Sequence, residues 1–306
     1  MTGETFTFKD QDGVEIFFYK WVPDPGVKTK AVVQIAHGGA EHAARYAHVG
    51  EALANAGYVV YADDHRGHGK TGQKAGRLGK LSPGDWDGMV RDLKELTDII
   101  KKDYPGLPVF LFGHSMGSFL TQNYIQNWGN ELRGALLTGT TGEPLELPAG
   151  IMESIQRQIE EKGLDAIAEE FTELTKAFNE PFKPAKTGFE WLTRDEAEVQ
   201  KYIDDPLSGF AFSYGSLIEM AGMFIMGDPK ILQKIPKDLA IYIFVGSMDP
   251  VSGMGKGAEV LFKRYKELGI KNVTFKVYPG GRHELFNELN REEVIQDVVA
   301  WLDAHL

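Results

Sequence analysis

A serine flanked by glycines, at positions 113–117, constrains the fold of this chain more than any other feature. The apolar run 108–112 precedes it, and a helix-like stretch from Ser118 to Trp128 follows. This order predicts a strand, a tight turn and a helix, with Ser115 at the apex. Glycines two residues to either side lack a Cβ, so strand and helix can pass close to the turn. With 35 glycines in 306 residues the pattern alone is weak, and the neighbouring elements decide its meaning.

Eight short runs predict β-strands. The first two, Thr5–Phe8 and Val14–Trp21, flank Asp12-Gly13, a pair typical of a hairpin turn. The other six are short and largely apolar, as buried parallel strands are, and they are Ala31–Ala36, Tyr58–Ala62, Val109–Phe112, Leu132–Leu137, Ile241–Val245 and Val273–Tyr278. An antiparallel pair followed by alternating strands and helices predicts an α/β fold. Its eight-stranded, mostly parallel sheet is flanked by helices.

Amphipathic helices are expected between the later strands. Apolar residues over 86–100 and over 258–268 recur with helical spacing. Ser82-Pro83 predicts the start of the first of these helices, with serine as N-cap and proline in the first turn. The last helix is expected to begin at Asn290, with Glu293 as the partner in a capping box.

The alternation stops between residues 143 and 235. This segment begins with Pro144 and Pro148, and a strand pattern resumes at Leu239. An apolar stripe predicts one helical face, made by Leu164, Ile167, Phe171, Leu174 and Phe178. We expect residues 143–235 to form a helical cap over the carboxyl edge of the sheet. Residues 1–142 and 236–306 are expected to form the core.

Composition limits the possible partners. The chain is 42% hydrophobic and 25% charged, as is usual for a globular protein. A net charge of −11 argues against a nucleic-acid partner. The chain has 0 cysteines, which excludes disulfides and thiolate metal sites. No signal-like N-terminus and no apolar run of about 18 to 20 residues occur, so we expect a cytoplasmic protein without a transmembrane segment. The oligomeric state stays open.

A serine nucleophile needs a base, and the base needs a carboxylate to orient it. Of the 8 histidines only His283 and His305 follow Ser115, and His305 is next to the last residue. His283 lies in the loop between the last strand and the last helix. Asp249 directly follows the preceding strand, so the order is serine, aspartate, histidine. Glu143, after an earlier strand, is an alternative acid.

The turn 37–42, with sequence HGGAEH, follows the third strand. Its glycines allow the backbone to curl so that an N–H points at a reacting oxygen. We expect the main-chain N–H groups of Gly39 and Met116 to form an oxyanion hole, which stabilises charge that develops in the transition state. The segment 65–69 holds two histidines in a glycine-rich loop, and we expect no metal there.

These motifs resemble those of the α/β-hydrolases, and among them the monoacylglycerol lipase and lysophospholipase-like serine hydrolases. The matching segments are 37–42 with Arg45-Tyr46, 64–69, 113–117, 249–251 and 283–288. The resemblance implies a catalytic triad of Ser115, Asp249 and His283, with Gly39 and Met116 as oxyanion donors.

The same resemblance implies that Glu41 and Arg45 support the oxyanion loop and the glycerol-binding end of the site. The alternative for this pair is an ordinary ion pair on a helix surface, worth about 0.3–0.5 kcal/mol. One departure from the family pattern is Ala40, where the family usually has glycine.

The expected function is hydrolysis of apolar-acyl monoesters through an acyl-enzyme, with a small-molecule ester as partner and no cofactor. The block Phe210–Met226 is either cap core or the wall of an acyl pocket, and the cap is expected to touch membrane surfaces transiently. The alternatives are a proline-type serine aminopeptidase, a thioesterase or acyltransferase, and a non-catalytic binding protein. Serine at position 115 argues against a dehalogenase or an epoxide hydrolase, which use an aspartate.

Overall fold

An eight-stranded sheet organises the molecule, and the computed structural model describes residues 3–143, 150–221 and 229–306. The strands are β1 Glu4–Lys9, β2 Glu15–Trp21, β3 Ala31–Ala36, β4 Tyr58–Asp63, β5 Val109–His114, β6 Gly134–Thr138, β7 Ala240–Gly246 and β8 Val273–Tyr278. The helices are α1 Ala47–Asn55, α2 Gly69–Lys74, α3 Asp85–Asp103, α4 Met116–Trp128, α5 Ile151–Lys162, α6 Glu169–Ala177, α7 Glu196–Asp204, α8 Tyr214–Met220, α9 Pro229–Leu232, α10 Lys256–Glu267 and α11 Arg291–Ala304. The predicted α/β class and all eight strands are confirmed.

The strand order is β1-β2-β4-β3-β5-β6-β7-β8. Strand β2 pairs antiparallel with both β1 and β4, and every other neighbouring pair is parallel. The carboxyl ends of parallel strands meet at one edge of a sheet. The loops after β3, β5, β7 and β8 are therefore gathered at that edge.

Helices cover both faces of the sheet and give it two apolar layers. Helices α3, α4 and α10 pack on one face, and α1 and α11 pack on the other. The predicted apolar positions over 86–100 are all buried, as are the predicted core positions of α11, which are Val294, Ile295, Val298 and Leu302.

Two helix starts differ from the prediction. Helix α3 begins at Asp85 after Gly84, which has a left-handed φ of 90°, so Ser82 is not its N-cap. The Asp85 carboxylate instead accepts the backbone N–H of Ser82 at 2.6 Å. Helix α11 does follow Asn290, but the Glu293 carboxylate accepts from the Asn290 side-chain amide at 3.0 Å rather than closing a capping box.

Helices α5 to α9 lie between β6 and β7, and we call their described residues, 150–221 and 229–239, the insertion. The predicted single apolar stripe is wrong. Helix α5 ends before Gly163, whose φ is 83°, and α6 begins only at Glu169. Ile167 lies between them and forms an isolated antiparallel bridge with Ser213. The predicted opening at Pro144 and Pro148, and residues 222–226 of the aromatic block, lie outside the described residues.

Within the described ranges, no helix combines the length and the apolar character that crossing a bilayer requires.

Candidate active site

Ser115 sits at the apex of the turn between β5 and α4. Its φ of 51° and ψ of −122° are unusual for a residue with a side chain. Its N–H donates to the Thr138 carbonyl at 3.0 Å, and its own carbonyl accepts from the Ser118 N–H at 2.8 Å and the Ser118 hydroxyl at 2.7 Å. Glycine is required beside it, since a Cβ on Gly117 would collide with the Ala36 carbonyl. The neighbouring strand and helix therefore hold the strained turn in place.

His283 and Asp249 meet at the same edge of the sheet. The imidazole Nδ1 lies 2.9 Å from Asp249 Oδ1, and the residues are only 2% and 0% exposed. The carboxylate can only accept, so Nδ1 carries the proton and Nε2 is free to act as a base. Burial alone would lower the pKa of His283, but the Asp249 carboxylate outweighs burial and raises it. The pair can therefore accept a proton on Nε2 and stabilise the cation that results.

The rings around His283 place it beside the Ser115 turn. Its centroid lies 4.7 Å from that of His114, the residue before Ser115, and 4.9 Å from that of Trp191 in the insertion. Glu143, the alternative acid, is exposed, and its N–H donates to the Thr141 hydroxyl. The structure thus brings Asp249 to the imidazole and leaves Glu143 at the surface.

The loop after β3 lies directly against the Ser115 turn. A Cβ built on Gly38 would stand 3.1 Å from the Cβ of Ser115, and one built on Gly39 would stand 3.8 Å from the Cβ of Met116. The two main-chain segments that carry the predicted oxyanion donors are therefore neighbours. The ring of Phe212 also reaches this loop, 3.3 Å from the Cβ position of Gly39. Part of the predicted aromatic block thus borders the site.

Ala40 adopts a left-handed conformation with a φ of 53°. Its carbonyl accepts the Tyr202 hydroxyl and the Gly209 N–H, each at 2.9 Å, and both donors belong to the insertion. His42 Nε2 lies 2.6 Å from Asp205 Oδ2, which adds a third link. Alanine in place of the usual glycine therefore keeps the glycine-like backbone, supported by contacts from the insertion.

Glu41 and Arg45 do not form a surface pair, so that alternative is wrong. Their side chains are 4% and 11% exposed, and Arg45 Nη1 lies 2.6 Å from Glu41 Oε2. Arg45 also makes a bidentate contact with Glu284 at 2.7 and 2.8 Å. Glu41 Oε1 accepts the Gly38 N–H at 2.6 Å and the Tyr46 hydroxyl at 2.8 Å. This group, the Arg45 cluster, ties the loop after β3 to the residue after His283.

Burial and charge act differently on the two carboxylates of the Arg45 cluster. Burial raises the pKa of Glu41 and, together with the nearby charge of Glu284, outweighs the opposing effect of Arg45. Burial would also raise the pKa of Glu284, but the facing Arg45 guanidinium outweighs it and holds that pKa at about 2. Glu41 is therefore the member that gains a proton first as pH falls.

Three histidines from the loops after β3 and β4 pack against one another. The ring centroids of His37 and His65 are 4.0 Å apart, and His68 lies 5.4 Å from His37. His65 Nδ1 is 2.8 Å from Asp63 Oδ2. Over the part of the chain that the structure describes, no group of three or more histidine, cysteine, aspartate or glutamate side chains is arranged to hold a metal ion.

Several residues at the site were not predicted from the sequence. Glu284 is adjacent to His283, and that adjacency was a usable signal. Trp191 and Tyr202 belong to the insertion, where no motif marks them. Their contacts with His283 and Ala40 depend on how a long helical segment returns to the sheet, which local sequence does not specify.

Comparisons with known proteins cover nearly the whole chain. A family model described as "Serine aminopeptidase, S33" matches residues 27–290. A monoacylglycerol lipase of Mycolicibacterium smegmatis is 30% identical over 317 aligned residues, which cover 100% of this chain and 99% of that protein. A monoglyceride lipase of Homo sapiens is 28% identical and covers 95% of this chain and 88% of its own length.

A solved structure shows the same architecture. The highly thermostable carboxyl esterase from Bacillus coagulans, determined in complex with glycerol, superposes with a TM-score of 0.89 at 31% identity and covers 99% of both chains. The similarity therefore includes the sheet, its flanking helices and the insertion together.

Proposed function

Because the chain belongs to the serine aminopeptidase (S33) family of α/β-hydrolases, we propose that it hydrolyses monoacylglycerols and similar apolar monoesters, with Ser115 as nucleophile. It is a serine ester hydrolase, since a monoacylglycerol lipase and a carboxyl esterase match it over almost its full length. The observation that supports the residue assignment most is the 2.9 Å contact between His283 and Asp249, beside the Ser115 turn.

The proposed reaction uses an acyl-enzyme. His283 Nε2 takes the proton of the Ser115 hydroxyl as that oxygen attacks the ester carbonyl, and the negative oxygen is stabilised by the N–H groups of Gly39 and Met116. His283 then gives the proton to the leaving alcohol, and later it activates the water that releases the fatty acid. Asp249 holds the imidazole tautomer and stabilises its cation.

The substrate class rests on relatives and on the walls of the site. The matched relatives are a monoacylglycerol lipase and a monoglyceride lipase, and the matched esterase structure holds glycerol. Phe212 lies against Gly39, so an apolar wall adjoins the proposed oxyanion hole. Glu41 and Arg45 place polar groups next to the loop that carries Gly39, because Glu41 accepts the Gly38 N–H, and this supports a polar, glycerol-binding end there.

Labelling and turnover test the nucleophile. We expect Ser115→Ala to keep the fold and lose nearly all turnover of monoacylglycerols and p-nitrophenyl esters, together with labelling by a fluorophosphonate. Ser154→Ala is the matched control, because that hydroxyl contacts Glu170 in the insertion. A Ser115→Ala protein with wild-type turnover would end the assignment.

The choice of acid has its own test. Asp249→Asn should reduce kcat far more than Glu143→Gln, because Asp249 contacts the imidazole and Glu143 is exposed. The opposite ranking would move the orienting carboxylate to position 143.

Amide hydrolysis is the second candidate, because the family description names an aminopeptidase. Comparing p-nitrophenyl esters with aminoacyl p-nitroanilides separates the two activities, and an acyl-CoA arm reports thioesterase action. We expect ester turnover to dominate.

We also propose a domain division, a membrane contact and a cellular location for this protein. The first is the division into a core and a cap over residues 143–235, which limited proteolysis would test. The second is transient contact of that cap with membranes, which flotation with phosphatidylcholine vesicles would test. The third is a cytoplasmic location, which cell fractionation would test.

A further inference from the structure

His37, directly after β3, is completely buried and has no part in the proposed proton transfers. Its Nδ1 lies 2.7 Å from the carbonyl oxygen of Gly38. Its Nε2 lies 3.1 Å from the backbone nitrogen of His65. Both ring nitrogens therefore contact main-chain atoms, one of them in the loop that carries Gly39.

These two contacts select one form of the ring. A carbonyl oxygen only accepts, so Nδ1 must donate, and a backbone N–H only donates, so Nε2 must accept. Only the neutral imidazole with its proton on Nδ1 satisfies both partners. Burial, with His65 and His68 nearby, lowers the pKa of His37 well below its usual value, so the ring stays neutral.

The contact with Gly38 fixes the orientation of one peptide unit. The Gly38 carbonyl and the Gly39 N–H belong to the same trans peptide and point in opposite directions. Holding the carbonyl toward His37 therefore directs the Gly39 N–H to the other side. The preceding peptide is held separately, because the Gly38 N–H donates to Glu41 at 2.6 Å. Glycines allow many backbone conformations, so these side-chain contacts select one of them.

We propose that His37 is a positioning residue for the reaction, which aims the Gly39 N–H at the developing oxyanion through the peptide that joins Gly38 to Gly39. The inference rests on the proposed function, since it takes Gly39 as an oxyanion donor. Such a donor acts only if it points to where negative charge appears in the transition state. Loss of the His37 contact should therefore lower kcat and leave KM nearly unchanged.

Gln34 provides a matched control. It is also completely buried, and it lies on β3 three residues before His37. Its side-chain N–H donates to the Leu93 carbonyl at 2.8 Å, its side-chain oxygen accepts the Thr97 hydroxyl at 2.7 Å, and both partners belong to α3. Replacing Gln34 removes a similar buried contact without touching the peptide between Gly38 and Gly39.

The experiment compares His37→Asn, His37→Gln and His37→Leu with Gln34→Leu. Asparagine keeps an N–H near the Nδ1 position, glutamine keeps only a polar group near Nε2, and leucine keeps neither. The readouts are kcat and KM for p-nitrophenyl butyrate, the rate of fluorophosphonate labelling, and Tm.

We expect kcat and the labelling rate to fall roughly ten- to a hundredfold in His37→Gln and His37→Leu, with KM within about threefold of wild type. His37→Asn should recover most of the loss. Gln34→Leu should lower Tm as His37→Leu does, but change kcat by less than about threefold.

Equal kcat values in the asparagine and glutamine variants would overturn the inference, whether both are high or both are low. The comparison of the asparagine and glutamine variants remains decisive even when the leucine variants do not fold. Ser115→Ala, measured in parallel, distinguishes failure of the His37 role from failure of the proposed function. If wild type labels at Ser115 and His37→Gln is unimpaired, only the role of His37 fails. If wild type never labels at Ser115, the proposed function fails.

Discussion

Two arginines, the buried Arg66 and the largely covered Arg45, organise carboxylates in this molecule, and they do so with different results. Arg45 binds Glu41 and Glu284, and through Glu41 it reaches the backbone of the proposed oxyanion loop. Arg66, in the loop after β4, faces four carboxylates, and we call this group the Arg66 cluster. Its acidic members are Asp10, Asp12, Asp85 and Asp92, at 2.6, 2.8, 3.1 and 2.7 Å.

The Arg66 cluster joins parts of the fold that carry no proposed catalytic group. Asp10 and Asp12 belong to the turn between β1 and β2, and Asp85 and Asp92 belong to α3. Arg66 therefore fastens the N-terminal hairpin to a helix of the core. The comparison shows that a buried ion cluster is not by itself a sign of function. Contact with a main-chain group of the site, which Arg45 achieves through Glu41 and Gly38, distinguishes the two.

The largest effect is expected from Arg66→Met. The substitution leaves two buried carboxylates, Asp10 and Asp92, without their guanidinium partner, so the free energy of unfolding should fall by about 5 kcal/mol in urea titrations. The kcat per fluorophosphonate-labelled site should stay within about threefold of wild type. A large loss of kcat per labelled site would break the comparison, because it would connect the Arg66 cluster to the reaction.

Arg45→Met should lower the free energy of unfolding by about 3 kcal/mol and also reduce kcat, since Glu41 loses the charge that holds it against Gly38. Arg45→Lys is the informative companion. It keeps the charge but loses the bidentate geometry toward Glu284, so it should be intermediate in both measurements. Stability loss without any loss of kcat would make the two clusters equivalent.

Asp92→Asn should make stability less dependent on pH. Burial raises the pKa of Asp92 to about 7, against the opposing effect of Arg66. Between about pH 4 and 7 the folded state then keeps a proton that the unfolded chain has lost, so the wild-type free energy of unfolding declines as pH rises. An asparagine does not titrate. The free energy of unfolding of Asp92→Asn should therefore rise relative to that of wild type by up to about 1.4 kcal/mol per pH unit.

Asp12→Asn is the control for that series. Contacts with Arg66 and Arg91 lower the pKa of Asp12, so its titration lies below this window. Its stability difference from wild type should be flat from pH 5 to 8 in urea titrations. A slope equal to that of Asp92→Asn would show that the effect does not come from Asp92.

The smallest expected effect is that of Glu41→Gln, which keeps an oxygen for the Gly38 N–H but removes the charge facing Arg45. We expect kcat to fall about tenfold, or about 1.4 kcal/mol. Tyr46→Phe removes a different donor to Glu41 and should change kcat by less than about threefold. Equal losses in the two variants would mean that Gly38 is not the important partner of Glu41.

The sequence predicted the sheet well because its cues are local. Each strand is a short apolar run, and the turn at Ser115 needs glycines where a Cβ would strike the backbone, as at Gly117. Local cues also misled. Ser82-Pro83 has the composition of a helix start, but Gly84 in a left-handed conformation delays α3 to Asp85.

The partly predicted features depend on contacts between distant residues. Glu41 and Arg45 are four residues apart, a spacing that also occurs on exposed helices. Glu284 and Tyr202, both distant along the chain, contact Arg45 and help to cover it. Arg66 appeared in the sequence only as part of a histidine-rich loop. Its partners come from the hairpin and from α3, and no local pattern links them.

The left-handed alanine at position 40 has a consequence for redesign. A residue with a side chain pays about 1–2 kcal/mol for that conformation, and here Tyr202 and Gly209 hold its carbonyl. Anyone who randomises the insertion to alter acyl-chain selectivity would be changing these two supports as well. Introducing Ala40→Gly first should let more library members keep the loop conformation, because glycine adopts it without the support of Tyr202 and Gly209.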